Sequence, residues 1–470
     1  MAAATTAGAR APTTAGARAP SASISVAASA ALRGDSGWPR ERLQACASLH
    51  VGYKRAPVCR WPMAAQRIAR LACLPRLLVI APLLLSSVSA GATAHAAAAA
   101  PAGFSVFGYL PEWRYSGANF GALFAHLSHL AFFSAEPHPD GKGRLFGLDR
   151  VPSAALLAEA RAAAARHGTR LLLCLGGNGR SSGFGPTVRD SAARARLAKA
   201  IAKLVVEKEL DGVDLNWEYP GYEFGTGYLS DAAVKADWDG LAALVADVRA
   251  AFAAKGRARG GGRDIVTLAY YPDGRQEREL VARRLDESAD LLHAMTYDAR
   301  GAQHSPMSLA EDALRFAREA GLRLSKVTLG LPFYGRDAAT GGDWTSYEDL
   351  VQRHAPPAGA LAPADDTAGG AGFNGVATIE AKVRFSLNSG LGGVMIWESG
   401  QDCREAPVTR DGRTHVRTCP DVVLPASAGA LDSWSLHAAI SRVLRGEGAP
   451  RAFPPQRAQR RDENAIEAEM

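Results

Sequence analysis

The strongest constraint on the fold is an alternation of short apolar runs with longer stretches of helical period, which begins at Phe104. Repeated units of one strand and one helix build parallel sheets. Eight runs predict strands, at 104–110, 127–134, 170–176, 211–218, 264–271, 289–297, 326–333 and 392–398.

Eight such units favour a closed α/β fold, the (β/α)8 TIM barrel, over an open doubly wound sheet, and no GxGxxG motif follows the first run. About 58 residues separate Phe333 from Gly392, and they include a predicted helix at Ile379–Ser389. We therefore expect one barrel domain with at most a short insertion between the seventh and eighth strands.

Three of the intervening helices are clear, at 153–168, 191–208 and 308–321. Serine accepts hydrogen bonds at helix N-caps, and glycine commonly follows the last helical residue. We therefore predict Ser191 and Ser308 as N-caps and Gly321 as the end of the third helix.

The first hundred residues are a leader. Residues 1–62 include two copies of TTAGARAP and have no apolar period. A cationic segment, about fourteen apolar residues and small-residue cleavage sites then follow over 63–96, the order typical of a secretory signal peptide. We expect translation to begin at Met63 and the protein to be secreted or periplasmic, with no stable membrane span after signal cleavage. The polar tail, 446–470, is predicted to be disordered.

The charge distribution argues against nucleic acid as a partner. The leader carries 11 of the 54 Lys and Arg residues but only 2 of the 47 Asp and Glu residues, so the remainder is slightly acidic. A folded part without excess positive charge does not attract phosphate backbones.

Three cysteines follow the leader. Cys174 lies in the apolar run LLLCL and is predicted to be a buried hydrophobe. Cys403 and Cys419 enclose a polar loop, and the sequence leaves open whether they pair. No CxxC or HExxH spacing occurs, so we predict no metal and no cofactor.

The fourth predicted strand carries polar side chains inside the sheet. Asp214, Asn216 and Glu218 alternate onto one face, with Glu218 nearest the C-terminal end, where barrels of this class build their sites. Buried polar groups are unfavourable unless they satisfy one another. Asp211 is out of phase with them and is predicted to be structural.

This strand resembles a known family. DGVDLNWEYP (211–220) is similar to the DxxDxDxE signature of glycoside hydrolase family 18, the chitinases and their relatives, and the resemblance spans 103–445 as one catalytic domain. Other strands agree, namely HAMTYD (293–298), LGLPFYGR (329–336), GGVMIWESGQD (392–402), LGG (175–177) and GYLPEW (108–113).

The resemblance implies an exported enzyme that hydrolyses β-1,4-linked N-acetylglucosamine units in chitin or chitooligosaccharides. In this family the substrate's own acetamido oxygen attacks, and the protein supplies one acid. Glu218 matches that acid and general base, with a raised pKa, and Asp214 matches the residue that tunes it. Tyr297 matches the tyrosine that holds the attacking oxygen.

Asn216 departs from the family, which usually has Asp two residues before the acid. An amide oxygen accepts the acetamido N–H but contributes no negative charge. Loss of one charge-assisted contact is worth about 1–3 kcal/mol, or roughly ten- to a hundredfold in rate. We therefore predict a slower enzyme rather than an inactive one.

By the same resemblance, further side chains at strand ends contact the sugar: Tyr109, Trp113, Met295, Asp298, Tyr334, Arg336 and Trp397. Flat aromatic rings suit the apolar face of a pyranose.

Two departures limit the inference about substrate. Asn178 follows LGG, where chitinases often have Trp, and the second strand ends in Phe132-Phe133-Ser134, which predicts fewer stacking platforms. The short segment before the eighth strand leaves little room for the α+β insertion of many chitinases, so we expect an open, shallow groove.

Two alternatives remain at this stage. The same mechanism serves peptidoglycan N-acetylglucosaminidases, and the same barrel serves catalytically weak chitin-binding lectins. Loss of the acid usually marks the lectins, and Glu218 is present. The sequence determines neither endo nor exo action nor oligomeric state.

Overall fold

Eight parallel strands close into the barrel that the sequence predicts. The computed structural model describes residues 103–223, 226–257, 264–342, 344–356, 358–410, 413–417, 419 and 433–447. Strands β1 to β8 each pair with the next, and β8 pairs with β1, so that they form a closed ring. They span Ser105–Pro111, His129–Pro137, Arg170–Gly176, Gly212–Glu218, Ile265–Tyr270, Leu291–Ala294, Val327–Pro332 and Gly393–Trp397.

All eight strands lie within three residues of their predicted bounds. The largest differences are at the ends of β2 and β6. Strand β6 was predicted to continue to Tyr297 but ends at Ala294, because the Thr296 N–H donates to the Ala294 carbonyl and the chain leaves the ladder. The leader predicted at 1–96, and all but Gly446 and Glu447 of the predicted tail, lie outside the described residues.

A helix packs outside the barrel after each strand. Helices α1 to α8 span Phe120–Phe124, Ala154–His167, Ser191–Glu207, Asp231–Ala253, Arg275–Ala282, Met307–Ala320, Val376–Asn388 and Leu436–Leu444.

The two predicted serine caps are wrong. Asp190 caps α3 by accepting from the Ala193 N–H, since a carboxylate one residue earlier does the same work as Ser191. Helix α6 begins at Met307, directly after Pro306, whose extended backbone ends the preceding loop and leaves Ser308 inside the first turn. Gly321 does end α6, with φ 77°.

Two apolar layers hold the barrel. One lies between the strands and the helices and includes Val213, Leu215 and Trp238. The other fills the barrel interior and includes Phe107, Met395 and the fully buried Cys174, which is the small hydrophobe predicted. The inner layer reaches the C-terminal ends of the strands, where it becomes the floor of the site.

The insertion between β7 and β8 is short, as predicted, but it is more ordered than its length suggests. It forms an antiparallel sheet in the order Trp344–Ser346, Tyr334–Asp337, Ala371–Gly372 and Thr367–Ala368. One helix, Tyr347–His354, packs beside it. The expectation that little room remains for an α+β insertion is therefore corrected, because strands of two to four residues suffice to build one.

A disulfide joins Cys403 to Cys419, with 5.3 Å between the Cα atoms. It closes the base of an antiparallel hairpin that follows β8, which decides the pairing that the sequence left open.

Smaller elements complete the described chain: helices Phe184–Val188 and Leu285–Ser288, 3-10 turns Glu112–Arg114, Leu148–Arg150, Leu324–Lys326 and Ser399–Gln401, and strands Leu145–Phe146, Tyr222–Glu223, Gly227–Tyr228, Glu405–Arg410 and Arg413–Arg417.

Within the residues described, none of the helices combines the length and the apolar character needed to span a bilayer.

Close contact between β4 and β5 generates a stability prediction. A Cβ added to Gly212 would lie 2.1 Å from the Ile265 carbonyl oxygen on β5, so the two strands would have to separate. We expect Gly212→Ala to lower the free energy of unfolding by about 1–3 kcal/mol or more, measured by urea denaturation. Gly121→Ala in α1 is the control, because its Cβ would meet nothing closer than 3.5 Å. Equal stability of the two variants would contradict the packing described.

Candidate active site

The residues predicted to carry chemistry meet at the C-terminal end of the barrel. They come from the ends of β1, β4 and β8 and from the segments that follow β1, β6 and β7. These residues are Tyr109, Trp113, Asp214, Asn216, Glu218, Met295, Tyr297, Asp298, Tyr334, Arg336 and Trp397. Asp211 lies at the opposite end of β4, where its side chain accepts from the Leu171 N–H.

Asp214 is the deepest carboxyl of the site and is fully buried. It accepts hydrogen bonds from the Tyr109 hydroxyl at 2.8 Å and from Thr267 Oγ1 at 2.6 Å, so β1 and β5 both hold it. Burial raises the pKa of Asp214, and these hydrogen bonds oppose the rise. The His293 ring lies 3.8 Å from the same carboxyl, and burial lowers the pKa of His293 to about 3.

Asn216 lies one pleat above Asp214 and is 2% exposed. Its amide lies beside the thiol of Cys174 on β3. Among the described residues, its Oδ1 atom finds no hydrogen-bond partner. Most buried polar atoms in folded proteins are satisfied, so this oxygen is available to a donor that enters the site.

Glu218 ends β4 with a left-handed backbone, φ 75°, which turns its carboxyl into the site. Burial and, after it, the charges of Asp214 and Asp298 raise the pKa of Glu218 to about 8, against a hydrogen bond from the Asn178 N–H that opposes the rise. A carboxyl with this pKa is protonated at neutral pH and can donate its proton.

Tyr297 stands across from Glu218, close enough that the charge of Glu218 contributes to its raised pKa, after burial. Its hydroxyl approaches the Met395 sulfur at 3.7 Å, and Met295 packs in the same inner layer. The Tyr271 hydroxyl donates to the Tyr297 carbonyl at 3.1 Å. The ring is therefore fixed, while its hydroxyl has only a weak acceptor.

Asp298 organises the opposite wall. Its Oδ1 accepts from the Tyr334 hydroxyl and from Arg336 Nε, both at 2.6 Å, and its backbone N–H donates to His304. Burial would raise the pKa of Asp298, but the hydrogen bonds from Arg336 and Tyr334 and the charge of Arg336 outweigh it and hold that pKa well below its usual range. Asp298 is therefore a fixed negative charge.

Aromatic rings line the remaining wall. Trp397 packs against Tyr109 at 5.5 Å and against Phe133 at 4.7 Å between ring centroids. Trp113 follows β1 and is 49% exposed, with Arg180 above its ring. Phe133 on β2 is buried and packs against Trp397, so the second strand supports that ring. The smaller number of stacking platforms stays a prediction.

Sequence analysis missed three residues of the site. Tyr271 directly follows β5, and its position at a strand end was a usable signal. His304 and Arg180 lie in loops, six residues after Asp298 and four residues after β3, where no periodicity marks them.

The similarity of this chain to known proteins covers the barrel. The model of the glycosyl hydrolases family 18 matches residues 105–402. Chitinase 1 of Aphanocladium album is 24% identical over 276 residues, which cover 49% of this chain and 61% of that protein. Endochitinase of Manduca sexta is 27% identical over 174 residues, 33% of this chain and 30% of that protein. The chain thus spans less than two thirds of the length of either of these curated relatives.

The same fold also occurs in a solved structure of a protein that is called an agglutinin. A chitinase-like agglutinin from Robinia pseudoacacia aligns with a TM-score of 0.54 and 20% identity, over 72% of this chain and 99% of that chain. The barrel alone therefore does not distinguish catalysis from sugar binding.

The raised pKa of Glu218 predicts a pH-dependent stability difference. A carboxyl that ionises less readily when folded destabilises the fold as pH rises from about 4.5 to about 8. We expect Glu218→Gln to match the parent's free energy of unfolding below pH 4.5 and to exceed it by a few kcal/mol above pH 8, since each pKa unit is worth about 1.4 kcal/mol.

Thermal denaturation from pH 4 to pH 9 measures this difference. Glu223→Gln is the control, because Glu223 is exposed on the hairpin that follows β4. A constant difference between Glu218→Gln and the parent at every pH would rule out the raised pKa.

Proposed function

The chain belongs to the glycosyl hydrolases of family 18, and from that premise we propose that it hydrolyses β-1,4 linkages between N-acetylglucosamine units of chitin or chitooligosaccharides. The observation that carries the proposal is the half-buried Glu218 carboxyl, whose pKa is raised to about 8, above the fully buried Asp214 and beside Tyr297. An acid that keeps its proton at neutral pH is what cleavage of a glycosidic bond requires.

The first chemical step uses the substrate's own acetamido group. Its carbonyl oxygen bonds to the anomeric carbon while the bond to the leaving oxygen breaks, and that oxygen takes the proton of Glu218. The proton neutralises the negative charge that develops on the leaving oxygen, and Glu218 is left as a carboxylate. The sugar is left as a cyclic oxazolinium ion, with its positive charge near Asn216.

The second step restores the enzyme. The Glu218 carboxylate takes a proton from water, and the water oxygen bonds to the anomeric carbon from the face of the departed group. The bond between that carbon and the acetamido oxygen breaks, which restores the neutral acetamido group. Two displacements on one carbon retain its configuration. Asp214 keeps Glu218 strongly basic in this step, because its nearby charge raises the pKa of Glu218.

Asn216 and Tyr297 bracket the acetamido group in this proposal. The unpartnered Asn216 Oδ1 accepts the acetamido N–H, and the Tyr297 hydroxyl donates to the attacking oxygen. Asn216 contributes no charge to the oxazolinium ion, so we propose a slower enzyme than one with Asp at this position.

The remaining side chains hold the sugar. The Trp397 ring, supported by Tyr109, stacks on the sugar at the cleavage point, and Trp113 stacks on a sugar farther along the groove. Asp298, Tyr334 and Arg336 form a hydrogen-bonded group that faces hydroxyls. Met295 closes the apolar floor.

A chitin-binding lectin is the second candidate, and Asn216 is the observation that favours it. The half-buried acid with a raised pKa argues for catalysis, since sugar binding does not require it. A peptidoglycan N-acetylglucosaminidase uses the same residues, and the choice of substrate in the test below separates it from a chitinase.

We also propose that the protein is exported. The signal peptide predicted at 63–96 supports this, and so does the Cys403–Cys419 disulfide, since disulfides persist in oxidising compartments.

The role of Glu218 is tested by turnover of a fluorogenic di- or tri-N-acetylchitooligosaccharide from pH 4 to pH 9. We expect the parent's kcat to fall above about pH 8, where the acid loses its proton, and Glu218→Gln to lose turnover at least a thousandfold while it still binds the sugar.

Glu277→Gln is the matched control, because burial also raises the pKa of Glu277 to about 8, but that carboxyl caps α5 away from the substrate. Binding without turnover in the parent would favour the lectin. Neither binding nor turnover, together with release of sugar from peptidoglycan fragments, would favour the glucosaminidase.

Asn216→Asp tests the missing charge. We expect kcat to rise roughly ten- to a hundredfold, since the restored carboxylate stabilises the oxazolinium ion by about 1–3 kcal/mol. Asn388→Asp, at the exposed end of α7, should leave kcat unchanged. A lower kcat for Asn216→Asp at every pH would refute this account.

A further inference from the structure

A lysine with no exposed surface lies on α7, outside the substrate site. Lys382 Nζ donates to the Ser305 carbonyl at 2.7 Å, to Ser305 Oγ at 2.6 Å and to Asn374 Oδ1 at 2.8 Å. These bonds use all three protons of the ammonium group. We call Lys382, Ser305 and Asn374 the lysine cluster.

Such a buried cation is unfavourable unless its surroundings compensate for lost hydration. Burial lowers the pKa of Lys382 to about 7, although the carboxylate of Asp366 acts in the opposite direction. Apolar residues of similar volume often replace buried charges without loss of stability. Stability alone therefore does not account for a lysine here, and its contacts indicate another role.

Ser305 connects the lysine cluster to the site. Its hydroxyl accepts from Lys382 and donates to the Thr296 carbonyl at 2.6 Å. That carbonyl belongs to the peptide unit that joins Thr296 to Tyr297, so its direction sets where the Tyr297 side chain begins. Asn374 Nδ2 donates to the Ser305 carbonyl at 3.0 Å, which fixes the same residue from a second side.

The neighbouring residue extends the connection to Asp298. His304 accepts from the Asp298 N–H at 3.3 Å through Nδ1, and its Nε2 lies 3.1 Å from the Tyr334 carbonyl. The loop between Asp298 and Ser305 therefore returns to the strand end from which it started. Fixing Ser305 holds His304 in place, and His304 holds the backbone of Asp298.

We propose that Lys382 is a positioning residue, which fixes Ser305 and thereby sets the directions of Tyr297 and Asp298 at the C-terminal end of β6. The inference rests on the proposed function of those two residues. The ammonium group is needed because one of its protons bonds to Ser305 Oγ, which directs the serine's own proton to the Thr296 carbonyl. A methionine donates nothing and leaves that hydroxyl free to rotate.

The test is Lys382→Met in the full chain, with kcat and KM measured on a fluorogenic tri-N-acetylchitooligosaccharide. Misplacement of a reacting group by about 1 Å can lower a rate about a hundredfold. We expect kcat to fall about ten- to a hundredfold and KM to change less than threefold, because Tyr297 contacts the attacking oxygen mainly in the transition state while Trp397 still binds the sugar.

Ser305→Ala and the double variant complete a cycle. If Lys382 acts through Ser305, the double variant loses no more kcat than the more affected single variant. Ser386→Ala is the matched control, since Ser386 is buried on the same helix and its hydroxyl donates to the backbone carbonyl of Lys382, within the helix, and makes no hydrogen bond to Ser305. Its kcat should equal that of the parent.

Multiplicative losses in the cycle, or an unchanged kcat in a folded Lys382→Met variant, would overturn the proposal. If Lys382→Met does not fold, an unchanged kcat in Ser305→Ala overturns it instead. A crystal structure of Ser305→Ala provides a readout that does not need activity. Tyr297 and Asp298 displaced from their parent positions support the proposal even if the parent hydrolyses no chitooligosaccharide, and unmoved side chains contradict it.

Discussion

The site depends on one buried carboxyl, that of Asp214, which the adjacent strand β5 and strand β1 hold in the barrel interior. Tyr109 on β1 and Thr267 on β5 donate to its two oxygens, so a charge that would otherwise be unfavourable becomes part of the core. The carboxyl lies beneath Glu218 and contributes to its raised pKa. The acid of the site thus owes its protonation first to its own burial and then to the charge held beneath it.

Two acidic groups in the same cavity have opposite pKa shifts, and their partners explain the difference. Glu218 has one opposing hydrogen bond, from the Asn178 N–H, and its pKa rises. Asp298 accepts from Tyr334 and Arg336, and its pKa falls. One carboxyl therefore carries a proton and the other a charge at neutral pH, although both belong to the same site. Such separation of pKa values is how neighbouring carboxyls acquire different chemical roles.

Two basic side chains outside the barrel strands, Lys382 and Arg180, hold residues of the site in place. Lys382 lies behind the loop that follows β6, and its three hydrogen bonds hold the residues that place Tyr297 and Asp298. Arg180 performs a comparable function at the other wall, where it bonds Glu112 and lies over the Trp113 and Phe133 rings. Both residues lie outside the strands that carry the family motifs, and both make several contacts with separate segments of the chain.

The sequence by itself determined the barrel and the polar column of β4. Strand periodicity is a local property, so the eight strands lie within three residues of their predicted bounds, and alternation along β4 placed Asp214, Asn216 and Glu218 on one face. Tertiary structure alone decided the rest. Three of these features join residues that are distant in sequence: the contact of Phe133 with Trp397, the Cys403–Cys419 pairing and the link from Lys382 to Tyr297. A fourth, the Asn216 oxygen that has no partner among the described residues, depends on what the closed barrel places around it. Burial and hydrogen bonding between such residues depend on the closure of the barrel, which no local pattern encodes.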